Sequence, residues 1–272
     1  MKMLTQAYQE HALEQINFAR YSVLSSREFM EELTEIFFNV KLSYESFLAT
    51  LIQKDKAKQL AKLKKNGKEV LVLVSANGKF YGDIINRTSR LFYERALTEH
   101  ADLVIIGKDG KRFCEQAGLT KPYTYFELSD TAVSLELLKP IIQLLVPYEK
   151  VTVFYGKFDN IVLQEAVEAS LSGDMPKDNK TTKPRENFLF EPSIANVMEF
   201  FETQIFSLLL NQTMNDSKLA RFASRVKAME SAQENLQKQL KILAHKELRF
   251  KASDINKKQL QLFAGRSLWG KR

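Results

Sequence analysis

The most regular feature of the chain is a repeat of apolar positions in its C-terminal third, from about Phe222 to Phe263. The repeat alternates steps of four and three residues, the spacing that keeps one edge of a helix apolar. Its positions are Phe222, Val226, Met229, Gln233, Leu236, Leu240 and Leu243. No glycine or proline lies between Pro192 and Gly265. The sequence therefore predicts one helix on the order of 100 Å long, more than a compact domain of this size can surround.

The same spacing recurs in the N-terminal part of the chain. Its positions are Ala12, Ile16, Ala19, Val23, Ser26, Met30, Leu33, Phe37, Val40, Tyr44, Phe47 and Leu51. Two heptad helices that flank a middle segment can pair antiparallel within one molecule. Two core helices of an ordinary bundle would show the same periodicity, but ordinary globular helices run only about 8–20 residues. Length therefore favours a coiled coil.

The middle of the chain alternates apolar strands with helices. Strands are predicted at Val70–Val74, Leu103–Ile106 and Val151–Tyr155, and an edge strand at Tyr123–Glu127. Helices are predicted at 84–99, 111–117 and 130–146, the last interrupted at Pro140. This order indicates βαβ units and a mainly parallel sheet. The predicted fold is α/β, a long antiparallel coiled coil of the N- and C-terminal helices plus a small Rossmann-like domain, with domains at residues 1–66, 67–190 and 191–272.

Composition narrows the functional class. The 44% hydrophobic content of the 272 residues supplies a real core. Cys114 is the one cysteine, which excludes an internal disulfide, and the three histidines lie in separate segments without metal-ligand spacing. No apolar run is long enough to predict a membrane-spanning helix, and the N-terminus does not resemble a signal peptide. We expect no metal, no cofactor, and a protein that is cytosolic or peripheral to a membrane.

Lysines are concentrated just before the first predicted strand, in a chain of net charge +7. They are Lys54, Lys56, Lys58, Lys62, Lys64, Lys65 and Lys68. Such a run can follow a phosphate backbone or an anionic membrane surface. It is more often the solvated end of a helix, where lysines also suit the helix dipole. Since no arginine or aromatic pattern accompanies these lysines, we favour the solvated face and expect no nucleic acid.

The loop after the first strand, Asn77–Gly82, lies where an α/β domain would hold a nucleotide. It has two glycines, Gly78 and Gly82, but the dinucleotide pattern needs three at closer spacing. A P-loop needs a serine or threonine after its lysine, whereas Lys79 is followed by Phe80. A turn that leads the chain into the next helix accounts for both glycines. Nucleotide binding is therefore a weak alternative here.

Five stretches in order along nearly the whole chain match motifs of one family. They are Val72–Ser75 with Gly78 and Gly82 (family pattern SSDRGLCGG), Ala101–Gly110 (ADVIVIGRKG), Tyr155–Phe158 (YNKF), Phe190–Ser193 (YEPS), and Arg225–Met229 followed by Ala232 and Asn235 (RMxAMxxATxNA). Together they resemble the gamma subunit of the F-type ATP synthase, the central rotor shaft.

The chain also departs from that family. The family opens with a basic segment, IRxRIxSVxNTxKITxAM, and this sequence begins near the end of that segment. Near the C-terminus the family has NKARQ, where this chain has Leu248 for the Asn, Lys251 for the Arg and Ala252 for the Gln. Lysine replaces a planar, bidentate contact by a single point charge. The departures indicate a divergent or specialised member.

The resemblance implies a non-catalytic rotor at the cytoplasmic face of the cell membrane, peripheral to it. Its two long helices would lie in the bore of a ring of alpha and beta subunits, and its α/β domain on the epsilon subunit and the c-ring. The implied partner contacts are Arg225, Lys251, Lys257, Gly78 and Gly82. The predicted seam comprises Met30, Leu33, Phe37, Val40, Val226, Met229, Leu236, Leu240 and Leu243.

Three other functions remain open from the sequence. The first is the shaft of an F-type-like motor that does work other than ATP synthesis, which the altered contacts near Lys251 favour. The second is a coiled-coil protein that binds nucleic acid or acts as an adaptor through its lysine run. The third is a small α/β enzyme that acts at the Asn77–Gly82 loop.

Overall fold

The computed structural model describes residues 3–17, 32, 66–130, 135–171 and 194–269. The first helix, α1, covers residues 3–17. The elements that follow are β1 (Glu69–Val74), α2 (Ile84–Thr98), β2 (Asp102–Ile106), α3 (Lys108–Gln116), β3 (Tyr123–Phe126), α4 (Leu135–Leu145), β4 (Lys150–Phe158), β5 (Gln164–Ser170) and α5 (Ile194–Trp269).

The five strands form one sheet in the order β3-β2-β1-β4-β5. β1 is parallel to β2 and to β4, and β2 is parallel to β3, whereas β5 pairs antiparallel with β4. Leu71 in the central strand pairs with Leu103 on one side and Thr152 on the other. The mainly parallel α/β sheet that the sequence predicts is therefore confirmed.

Side chains of β1 alternate between two apolar layers, as the period of a strand requires. Val70, Val72 and Val74 pack with the buried residues of α4 and with Leu210 and Met214 of α5. Leu71 and Leu73 face the opposite way and pack with buried residues of α2, α3, β2 and β4, which include Phe92, Cys114 and Phe154. Both faces of β1 are thus covered, which explains its uninterrupted apolar sequence.

Several boundaries differ from the sequence-based prediction. β4 runs on to Phe158 and turns into β5, a strand that the sequence analysis did not predict. α3 begins at Lys108, three residues earlier than predicted, and α4 continues through Pro140 instead of being interrupted there. The lysine run from Lys54 to Lys65 lies outside the described residues.

α5 is a single helix of 76 residues. Every residue from 213 to 226 is buried, so the helix is covered on all sides there, and every residue from 237 to 264 is exposed. We call residues 237–264 the exposed segment. Within the described part of the chain, no helix combines the length and the apolar character needed to cross a membrane.

Candidate functional site

Among the described residues, Met214 packs with α4, and the rest of α5 between residues 213 and 226 is enclosed chiefly by α1, the loop 75–82 that follows β1, and β4. We call this surrounding structure the collar. Its apolar part consists of Ala12, Ile16, Ala76 and Tyr81, packed against Leu219, Phe222, Ala223 and Val226 of α5. The collar joins the sheet domain to the long helix, so its geometry decides how firmly the two are connected.

On one side of the collar, α1 contacts α5 through rings and amides. The rings of His11 and Phe222 meet edge to face with centroids 6.4 Å apart. Gln233 Nε2 donates a hydrogen bond of 2.9 Å to Gln9 Oε1. The earlier residue of α1 thus meets the later residue of α5. The two helices therefore run in opposite directions where they touch.

On another side, two glycines let backbone segments approach α5 closely. A Cβ atom on Gly82 would collide with Ser224, lying 3.0 Å from its carbonyl oxygen. A Cβ atom on Gly156 of β4 would lie 3.3 Å from the Cβ of Ala220 and 2.8 Å from Ile84 Cγ1. Small residues on both partners, Ala220 and Ser224 on α5, make this approach possible.

The loop 75–82 is tied to the segment after β3 by one carboxylate. Asp130 accepts hydrogen bonds from the backbone N–H groups of Asn77 (3.0 Å) and Gly78 (2.6 Å). The Asn77 side chain accepts a 2.9 Å bond from the N–H of Lys108, which begins α3. The loop lies at the carboxyl end of β1, where the chain connections diverge to either side and α/β sheets commonly bind nucleotides. Here the Asp130 carboxylate takes the position of an anion bound to these loop amides.

Two arginines of α5, one helical turn apart, complete this arrangement. Arg221 Nη1 lies 3.6 Å from Asp130 Oδ1 and also donates to the carbonyl oxygen of Ser75. Arg225 Nη2 donates a 2.9 Å hydrogen bond to the carbonyl oxygen of Lys79, and its guanidinium lies 3.9 Å from the centroid of the Tyr81 ring. Both arginines are almost fully buried, at 5% and 6% exposure. Their charges therefore act inside the molecule.

Burial shifts the pKa values of Arg221 and Tyr81. Burial lowers the pKa of Arg221, and the neighbouring Asp130 carboxylate opposes that shift. Burial also raises the pKa of the Tyr81 hydroxyl, and the Asp130 charge raises it further. Arginine keeps its proton at all physiological pH values. Arg221 consequently keeps its positive charge beside the Asp130 side chain, in a site largely shielded from water.

One predicted partner contact, Arg225, stays a prediction in that role, but its side chain is buried against Tyr81. The reason is that the loop 75–82 folds over α5 at that turn, which the spacing along α5 does not indicate. Lys251 and Lys257 are exposed, and Lys251 Nζ lies 2.7 Å from Glu247 Oε1 on the same helix. Their partner contacts stay predictions.

Gly78 and Gly82 both face other parts of the same chain. A Cβ atom on Gly78 would lie 2.9 Å from Asp130 Oδ2, and one on Gly82 would meet Ser224. They shape the loop against α5, while the contacts with other subunits that the resemblance implies for them stay predictions.

The predicted seam residues fall into three groups. Val226 and Met229 are buried, at 5% and 7% exposure, and Leu236 is half-buried. Leu240 and Leu243 are 55% and 59% exposed, so the described part of α1 does not cover them, and their packing on the first helix stays a prediction. Met30, Leu33, Phe37 and Val40 lie outside the described residues.

Sequence reasoning missed Arg221, Asp130 and Tyr81 as members of one site. Arg221 and the Ser75 carbonyl that it contacts are 146 residues apart, and no local motif links such positions. The spacing of Arg221 and Arg225, one helical turn apart, gave no sufficient signal, because Lys218 and Lys227 lie beside them in the sequence.

No metal or thiol chemistry accompanies this site in the part of the chain that the structure describes. There, no group of three or more His, Cys, Asp and Glu side chains is arranged to hold a metal ion. Cys114 is buried in the opposite layer of the sheet, and burial raises its pKa to about 11. The thiol is therefore protonated and unreactive at neutral pH.

Comparison with known sequences gives a consistent result. A family model described as ATP synthase matches residues 1–257. The ATP synthase gamma chain of Malacoplasma penetrans is 24% identical over 256 residues, covering 87% of this chain and 88% of that protein. The gamma chain of Halothermothrix orenii is 22% identical over 244 residues, covering 85% of this chain and 81% of that protein.

Solved structures show the same fold at low identity. A chain in the central stalk and c-ring structure of Tetrahymena thermophila mitochondrial ATP synthase aligns with a TM-score of 0.60 at 16% identity, covering 84% of this chain and 99% of that chain. A chain of Euglena gracilis mitochondrial ATP synthase aligns with a TM-score of 0.58 at 11% identity, covering 93% of both. With the family model matched over nearly the whole sequence, this chain belongs to the gamma-chain family of ATP synthases.

Proposed function

We propose that this chain is the central rotor shaft of an F-type ATP synthase or ATPase, which couples rotation to nucleotide turnover in a ring of alpha and beta subunits. The shaft can shift the affinity of a catalytic site only by as much as its contacts differ between the states of that site. A helix with different residues on different sides makes different contacts with a catalytic site as it rotates, so it can shift the affinity of that site.

The exposed segment of α5 carries this proposal. Its 28 residues, 237–264, span about 42 Å at 1.5 Å per residue. Large apolar side chains on it are more than half exposed: Leu240, Ile242, Leu243, Leu248, Phe250, Ile255, Leu260, Leu262 and Phe263. Because successive residues turn by about 100°, Leu240, Ile242 and Phe250 point to different sides of the helix. Apolar side chains on several sides of a helix, set among charged ones, favour contacts on several sides, which suits the bore of a ring better than one partner helix.

An antiparallel coiled coil of α1 and α5 is part of the proposal. It is supported by the opposite directions of the two helices at His11 with Phe222 and at Gln9 with Gln233. The seam would continue through Met30, Leu33, Phe37 and Val40 towards the N-terminal half of α5. On this proposal residues 1–66 and 191–272 form the coiled coil, and residues 67–190 form the Rossmann-like domain.

The remaining partners follow from the same role. The sheet domain would contact the epsilon subunit and the c-ring, and Lys251 and Lys257 would contact acidic loops of the catalytic ring. The complex would lie at the cytoplasmic face of the cell membrane with this chain peripheral to it. The chain itself would be non-catalytic, since the position where an α/β domain holds a nucleotide is filled by Asp130, Arg221 and the loop 75–82.

A shaft for a motor that does work other than ATP synthesis is the second candidate. The observation that favours it is the NKARQ position, where Lys251 pairs with Glu247 of its own helix and its neighbour is Ala252. A lysine held by its own helix offers a weaker and less directional contact than the arginine and glutamine of the family.

Affinity purification from native cells tests the proposal. The tagged chain would be captured, its partners identified by mass spectrometry, and the ATPase activity of the eluate measured. We expect alpha-like and beta-like subunits together with ATPase activity. Copurification of a c-ring would support synthesis or ion transport, and its absence would support the second candidate. Recovery of the chain alone, or with nucleic acid, would contradict both.

A further inference from the structure

The ion pair between Arg221 and Asp130 differs in kind from the other contacts of the collar. The Arg221 side chain is 6% exposed and that of Asp130 is 14% exposed. Each is also bonded to the backbone of loop 75–82: Arg221 to the Ser75 carbonyl, and Asp130 to the amides of Asn77 and Gly78. The pair therefore connects α5, the loop after β1 and the segment after β3 at a single point.

The apolar contacts between α5 and α1 constrain the rotational position of α5 less than directional contacts do, and the close approach of Gly82 to Ser224 adds a steric constraint. Phe222, Ala223 and Val226 pack with Ala12 and Ile16 of α1, and apolar contact is non-directional. The contacts of Arg221 are more directional, because the guanidinium that faces Asp130 also donates a hydrogen bond to the Ser75 carbonyl oxygen. A turn of α5 about its own axis would withdraw the buried Arg221 guanidinium from both Asp130 and the Ser75 carbonyl oxygen, which is strongly unfavourable in a largely water-free site.

We propose that Arg221 and Asp130 form a rotational lock that fixes the angle of α5 relative to the sheet domain. Arg225, stacked on Tyr81 one turn further along, supports the same angle. The coupling part of this inference rests on the proposed rotor function: torque applied at the sheet domain reaches the exposed segment only if α5 cannot turn within the collar. Arg221 and Asp130 are then positioning residues, not groups that contact nucleotide.

The test compares a charge-unbalanced variant with a charge-balanced one. Arg221→Met leaves the buried Asp130 carboxylate unpaired, whereas Arg221→Met combined with Asp130→Asn removes both charges. A role in stability alone predicts that the double variant recovers both thermal stability and function. A rotational lock predicts that it recovers stability but not the fixed angle. Arg221→Lys, which keeps a charge at this position, is the conservative rescue.

The angle is measured on the full chain by spin labels. One label is placed at exposed Glu94 on α2 and the other at exposed Lys238 on α5; Cys114 is buried and does not compete for the label. We expect one narrow distance distribution for the wild-type chain and for Arg221→Lys, and a clearly broader one for the double variant. An equally narrow distribution in a folded double variant would overturn the lock.

Coupling is measured in the complex assembled in native membranes. We expect the double variant to hydrolyse ATP at a nearly normal rate while ion transport per ATP falls several-fold. Normal transport per ATP in the double variant would overturn the inference. Failure of the proposed rotor function would be recognised separately, because the wild-type chain would then copurify without ring subunits and without ATP-driven transport. The spin-label result would still decide whether Arg221 and Asp130 hold α5 at one angle.

Discussion

Gly82 lies so close to Ser224 that its α-carbon has no room for a side chain, and its backbone adopts a φ of +64°. This contact brings the end of loop 75–82 onto the middle of α5. A glycine is required for two independent reasons, the left-handed backbone and the steric contact. The sheet domain and the long helix are therefore joined by backbone packing as well as by side chains.

Gly82→Ala should destabilise the chain more than the same change at Gly118. Gly118 also has a left-handed backbone, with a φ of +79°, but a Cβ atom there meets nothing within 4 Å. Both variants place an alanine in the left-handed region of the backbone, which costs about 1–2 kcal/mol. Gly82→Ala should lose about 1–3 kcal/mol more because Ser224 must move. Chemical denaturation of both variants measures this difference. Equal losses of stability would show that Ser224 and its surroundings move aside at little cost.

Met229→Asp and Leu240→Asp should differ in their effect on stability, because Met229 lies in the covered part of α5 and Leu240 in the exposed segment. Met229 is 7% exposed, so a carboxylate there should cost roughly 2–4 kcal/mol in the isolated chain. Leu240 is 55% exposed, so Leu240→Asp should change the stability of the isolated chain by less than about 0.5 kcal/mol. In cells, Leu240→Asp should still reduce recovery of ring subunits with the chain. Equal loss of stability in both isolated variants would mean that the seam closes within the chain as far as Leu240.

Lys251→Ala should leave the isolated chain folded and weaken its assembly. The Lys251 and Glu247 side chains are about two-thirds exposed, and an exposed pair of this kind contributes no more than about 0.5 kcal/mol. The two measurements are the melting temperature of the isolated chain and the ATPase activity of the purified complex. If Lys251→Ala assembles and hydrolyses ATP normally, Lys251 does not contact a partner subunit.

Alkaline pH should destabilise the chain through Cys114. Its pKa in the folded chain is about 11, compared with an ordinary value of 9.0. Between these values the unfolded chain loses the thiol proton and the folded chain keeps it, so stability falls as pH rises through that window. The slope for one such group approaches about 1.4 kcal/mol per pH unit.

Cys114→Ala provides the control for this titration. Tyr81 and Tyr155 also have pKa values raised by burial, so the variant should keep part of the slope. The difference between the two slopes, measured by denaturation at several pH values from 8 to 11, belongs to the thiol. Identical slopes would mean that Cys114 ionises as readily in the folded chain as in the unfolded one.

The sheet and α5 could be predicted because their signals are local and repeated. The apolar run at Val70–Val74 identifies β1, and the absence of glycine and proline identifies the long helix. β5 could not be predicted in this way, because Gln164–Ser170 is an edge strand rich in glutamate and alanine. Asn160, whose side chain accepts bonds from the N–H groups of Val162 and Leu163, was the available sign of a turn between β4 and β5.

The collar could not be predicted because its contacts join distant parts of the chain. Arg225 lies in a heptad helix with charged neighbours, and from the sequence it resembles a solvated residue. The loop that buries Arg225 precedes it by 146 residues at Lys79. Only the packing of α5 against the sheet domain brings these groups together.

Rotation of the chain inside an immobilised catalytic ring tests the central claim most directly. The complex would be fixed through its beta subunits, and an optical probe attached to a cysteine introduced at exposed Glu94 in the sheet domain. The rotor function predicts that ATP drives the probe in one direction, in steps, and that the motion stops when ATP is removed. A probe that stays still or only fluctuates while the ring hydrolyses ATP would contradict the claim that this chain is the shaft.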